Sequence, residues 1–89
     1  MTGTFEEAAL IALGEMFRVY GSGADPLPLE VTGEIDTHGG QPVWRVDGTY
    51  EVTVEGERRA DRWTLWIGPT QDATLTVLAT ERSDFAPTS

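Results

Sequence analysis

Residues 44 to 55, WRVDGTYEVTVE, alternate apolar or small side chains with polar ones without a slip. A pleated strand turns successive side chains to opposite faces, so this run has a dry and a wet side. Trp44, Val46, Gly48, Tyr50, Val52 and Val54 share the dry side; Arg45, Asp47, Thr49, Glu51, Thr53 and Glu55 share the wet one. The run exceeds the usual strand length. It is therefore expected to be the central strand, against which its neighbours find their register.

Three further segments have the same period. Leu27, Leu29, Val31, Gly33 and Ile35 alternate with Pro28, Glu30, Thr32, Glu34 and Asp36, which predicts a first strand over about 28–36. Pairing Ile35 with Trp44 sets Gly33 beside Val46, Val31 beside Gly48 and Glu34 beside Arg45, all chemically compatible pairs. Trp63, Leu65 and Ile67 alternate with Arg62, Thr64 and Trp66, which predicts a strand over about 62–68. A hairpin about Gly56 to Asp61 would oppose Val54 to Trp63, Val52 to Leu65 and Tyr50 to Ile67. Residues 74–81 form a fourth strand, with Leu75, Val77 and Ala79 inward and Thr74, Thr76, Leu78 and Thr80 outward.

Before the strands, Thr4 and Glu7 stand at capping-box spacing ahead of an apolar run, Arg18 falls in what would be the last turn, and Gly21 offers a stop. These signals place a helix over about 4–20. Phe5, Ala8, Ala9, Ala12, Leu13, Met16, Val19 and Tyr20 share its broad apolar face, with Leu10 and Phe17 on the flanks and Ile11 in the polar stripe. The expected fold is α+β: one N-terminal helix packed on one face of a four-stranded antiparallel meander, a single small domain over 1–89. The segment 83–89 has no period, and Phe85 in it could cover nearby apolar side chains.

Composition narrows the functional classes. Fifteen acidic residues face six arginines and no lysine, for a net charge of −9. Nucleic acid needs a basic footprint to hold phosphates, which disfavours it as a partner. The absence of cysteine removes disulfides and thiolate metal sites. No stretch reaches the roughly 18 apolar residues of a membrane span, and Glu6 and Glu7 stand where a signal peptide carries positive charge. A cytoplasmic location is expected.

Catalytic constellations are weak. His38, the single histidine, is expected to face solvent in a glycine-rich loop, without a second group placed for acid–base work. The carboxylates of Glu30, Glu34, Asp36, Asp47, Glu51 and Glu55 line one open face, where solvation keeps both members of a would-be acid pair ordinary. Gly21 and Gly23 form a G-x-G after a helix rather than after a strand, so they make no nucleotide loop. No catalytic residue, cofactor or metal is assigned.

Contact is the function these features favour. Trp66 is expected on the outer sheet face with Thr64, Glu51, Thr76 and Leu78, and interfaces favour tryptophan centres with polar rims. The uncharged stretch 73–80 should be a sheet edge, and edges left unprotected tend to pair with another chain. Leu10 and Phe17 widen the helix's apolar arc beyond what one sheet covers. The expectation is therefore a protein-interaction domain, homodimeric through the outer face or the fourth-strand edge. Two alternatives stand beside it: an acidic inhibitor or immunity-type protein that blocks a basic enzyme, and a small-molecule binder or enzyme with a pocket between helix and sheet lined by Met16, Tyr20, Trp44 and Tyr50. A sizeable cavity would favour the last.

Overall fold

A computed structural model describes residues 3–72 and 74–83. The Thr4 hydroxyl accepts a hydrogen bond from the Glu7 amide at 3.2 Å and so starts helix α1, Phe5–Tyr20. The helix stops at Gly21, whose φ of 88° and ψ of 157° lie in a region reserved for glycine. A 3-10 turn, Ser22–Ala24, leads into four strands: β1 Leu27–His38, β2 Gln41–Val54, β3 Glu57–Pro69 and β4 Leu75–Ser83. They form one antiparallel sheet in the order β1-β2-β3-β4, and the helix lies against it. This is the α+β architecture that the alternation implies.

The parity of the central strand holds. Val46, Tyr50 and Val52 are fully buried against Ala8, Ala12 and Met16 of α1, with Trp63, Leu65 and Ile67 completing the core. Each such large side chain contributes on the order of 1.5–3 kcal/mol by leaving water. The buried helix stripe is rotated slightly from the expected face. Ile11, placed by periodicity in the polar stripe, packs on the core, whereas Val19 is exposed.

Register proved a separate matter from parity. The first hairpin pairs Ile35 with Trp44, Gly33 with Val46, Val31 with Gly48 and Glu34 with Arg45, as read from the sequence. The second hairpin differs by six residues. Glu55 and Gly56, with φ of 54° and 82°, close a two-residue turn between Val54 and Glu57. Positive φ at both central positions is the turn whose twist suits a hairpin. Trp63 therefore opposes Gly48, Leu65 opposes Val46 and Ile67 opposes Trp44, and residues 57–61 are strand rather than loop. An even slip leaves every side chain on its original face, so alternation could not detect it.

Two bulges reset the edge strands. In β1, Pro28 pairs with Tyr50 and Glu30 with Thr49, leaving Leu29 unpaired. Leu27 consequently opposes Glu51 on the outer face instead of pointing inward. In β4, Ala79 pairs with Trp66 and Val77 with Ile67, leaving Leu78 unpaired. Ala79 thus sits on the outer face and Thr80 on the inner one, the reverse of the simple alternation. The β4 edge is not undefended, because a bulge twists an edge away from flat pairing. Ala73, at the start of the expected edge, and Phe85, in the expected covering tail, lie outside the described residues.

Candidate functional site

The β1 bulge has a consequence on the inner face. With Leu27 and Leu29 turned aside, Pro28 is the residue that faces α1, and the space between helix and strand is incompletely filled. An open groove of about 350 Å³ results, walled on the helix side by Phe5, Ala9, Leu10 and Leu13, with Glu6 as its charged member. Pro28, Val31 and Tyr50 supply the sheet side. Leu10 is 68% exposed at the mouth, and Leu29 and Ile35 are each 53% exposed along β1. Phe5 is held across the β1–β2 pair: its ring occupies the space a Cβ on Gly33 would need, and it meets Trp44 at a centroid distance of 5.8 Å. Trp44 in turn donates through Nε1 to the Gly3 carbonyl at 3.3 Å.

Tyr50 is the one polar side chain buried under this wall. It is fully enclosed, and its hydroxyl has no hydrogen-bond partner among the described residues. Burial pushes the phenol up to about 12, so it stays protonated and keeps an O–H to donate. The ring lies back over Gly48, whose cross-strand partner is the groove residue Val31. Of the four residues expected to line a helix–sheet pocket, only Tyr50 does so. Met16 is packed in the core, Tyr20 and Trp44 are engaged elsewhere, and the groove lies on the β1 flank instead.

The outer face is more tied down than the sequence implies. Trp66 is half-buried and donates through Nε1 to Asp36 at 3.3 Å, reaching across β2 to β1. Between them Arg45 pairs with Glu34, with Asp36 at 3.7 Å and with Asp47 at 3.5 Å. Thr64 donates to Asp47 at 2.7 Å, and Leu78 packs towards Gly68 beside Val43. Thr76, opposite Gly68, completes a group of Trp66, Thr64, Leu78 and Thr76. Glu51 is not part of it. The true register places it opposite Ala60, six residues from the Arg45–Trp66 pair or roughly 20 Å along the strand. Leu10 and Phe17 are on α1, on the other side of the sheet, and both are exposed.

Sequence reasoning missed a polar cluster at the far end of the core. Tyr20 donates to Asp61, Trp63 Nε1 donates to the Tyr20 hydroxyl at 3.0 Å, and Arg59 reaches the same Asp61 carboxylate at 3.1 Å. Burial first, and then the hydrogen bond to Asp61, raise the Tyr20 phenol above its ordinary value. The signal was present: Asp61 continues the inward parity of Trp63, so a carboxylate on the dry face required partners. Arg58 likewise clasps the loop after α1, donating to the carbonyls of Ala24 and Asp25 at 3.2 Å and to Thr53 and Glu51 at 2.8 and 2.9 Å. Both arrangements join elements of the fold.

His38 is exposed at the end of β1, next to the Gly39–Gly40 turn. Among the described residues no group of three or more His, Asp or Glu is placed to hold a metal ion, and no helix is long and apolar enough to cross a membrane. By architecture the chain is defined as a one-helix, four-stranded antiparallel α+β fold with an apolar groove beside its first strand. A scan against protein-family models, a search of curated proteins and a search of solved structures each give no match.

Proposed function

We propose that this protein is a binding domain that takes a small, largely apolar molecule in the groove between α1 and β1. The single observation that supports the reading is the groove itself. Its volume of about 350 Å³ is within the range of roughly 300–1,000 Å³ common to small-molecule sites. Its walls are apolar apart from Glu6. An anionic ligand is disfavoured, because Glu6 is part of the wall and the chain carries a net charge of −9. Binding, rather than catalysis, is the activity assigned.

The test uses N-phenyl-1-naphthylamine, an uncharged fluorophore that brightens in apolar surroundings. Wild-type protein should enhance its emission saturably, and Leu10→Glu, which puts a charge at an already exposed position in the groove mouth, should abolish the effect while leaving the melting curve unchanged. No enhancement by the wild type, or equal enhancement by Leu10→Glu, would overturn the reading.

A second reading keeps protein contact as the activity. It is favoured by the large apolar side chains left to solvent on the two elements that wall the groove, Leu10 and Phe17 on α1 and Leu29 and Ile35 on β1. Exposed apolar surface, where it is contiguous, marks contact sites. A second copy seated there would make the protein a dimer through this band rather than through Trp66.

A further inference from the structure

We infer that the groove takes a small organic cation, an ammonium group carried on an aromatic or aliphatic body, and that the carboxylate of Glu6 pairs with its charge. This rests on the groove reading above and deepens it by naming the ligand's chemistry. Glu6 is the one charged residue among those that line the groove, and it is exposed, so a partner arriving from solvent can reach it. The apolar walls suit the body of such a ligand, and Phe5 offers it a ring to pack against.

The chain's own cations are placed elsewhere. Arg18 is held by Glu15, Arg45 by the outer-face carboxylates, Arg58 by Glu51 and Arg59 by Asp61. Arg62 and Arg82 are on β3 and β4, with β2 between them and the groove strand. The sequence has no lysine, and among the described residues neither Glu6 nor its neighbour Glu7 is in a salt bridge. Both glutamates suit the positive end of α1, which accounts for their place in its first turn. Only Glu6 also lines the groove, and that second position is what a helix start does not require. The net charge of −9 adds a field that draws a cation towards this mouth and repels an anion. An exposed ion pair is a modest contact, so the charge contributes selectivity while the apolar walls supply most of the affinity.

The experiment titrates 3-phenylpropylamine, 3-phenyl-1-propanol and 3-phenylpropanoate into the protein at low ionic strength, followed by chemical shift. The three share a body and differ in a positive, neutral or negative end. Wild type should bind the amine best and the carboxylate worst, and added salt should erode the amine's advantage. Glu6→Gln should lose about two- to fivefold in amine affinity, the size expected of one exposed ion pair, and none for the alcohol. Glu7→Gln removes the same charge one residue away, keeps a capping-box side chain, and should bind the amine as wild type does. Equal affinity of wild type for amine and alcohol, or equal losses of amine affinity in the two variants, would overturn the role of Glu6 and leave the groove reading intact. Failure of all three probes to bind wild type would overturn both.

Discussion

The ring of Tyr50 lies back over Gly48, at 2.5 Å from where a Cβ would stand. The two residues share a strand and a face, and the missing side chain of one is the space occupied by the other. Gly48→Ala must push the phenol off β2 and disturb the packing around it. The expected cost is about 1–3 kcal/mol, typical of forced overpacking. Chemical denaturation will measure it. A change below about 0.5 kcal/mol would mean the ring is free to lie elsewhere.

Because its pKa in the folded chain is about 12 against an ordinary 10, Tyr50 links stability to high pH. The folded state holds the proton more tightly than the unfolded one, so this contribution is complete below about pH 10 and is lost as pH rises through about 12. Tyr20, raised in the same direction, adds to the trend. Unfolding free energy should therefore fall by on the order of 2 kcal/mol across that window, and the fall should shrink in Tyr50→Phe. An unchanged slope in the variant would assign the effect elsewhere.

Trp63 is 9% exposed, and its Nε1 binds the Tyr20 hydroxyl. Trp63→Ala would open a cavity and orphan one partner of the Tyr20–Asp61 cluster, for an expected loss of roughly 3–5 kcal/mol. Thermal unfolding will show it as a large drop in midpoint. Less than about 1 kcal/mol would mean that β3 presents its other face to the helix.

The second hairpin turns on Glu55, one of two non-glycine residues with positive φ among those described. Asparagine tolerates this conformation better than glutamate and precedes glycine in the favoured two-residue turn. Glu55→Asn is predicted to stabilise by a few tenths of a kcal/mol to about 1, with an upward shift in melting temperature as the check. Destabilisation would point to the longer loop that the sequence alone implied.

How much of this was legible beforehand can be traced residue by residue. The alternation from Trp44 to Val54 told which face is dry, because burial acts on parity and parity survives in the sequence. It did not tell that Trp63 opposes Gly48 rather than Val54, since a six-residue slide preserves every face. That information resided in the Glu55–Gly56 turn, whose glutamate disguised it. Trp66 looked like a contact centre because its partner, Asp36, is two strands away and meets it only once both registers are known. The groove was the least legible feature. Leu27, Leu29 and Val31 keep a regular alternation on paper, and only the bulge at Leu29 turns the first two aside and opens the space that Tyr50 underlies.

Binding in the groove is tested most directly by which side of the sheet a ligand touches. With methyl-labelled protein and bound N-phenyl-1-naphthylamine, isotope-filtered nuclear Overhauser spectra should show contacts to the methyls of Leu13 and Val31. Contacts to Val43 and Leu78 on the opposite face instead, or none at all, would contradict it.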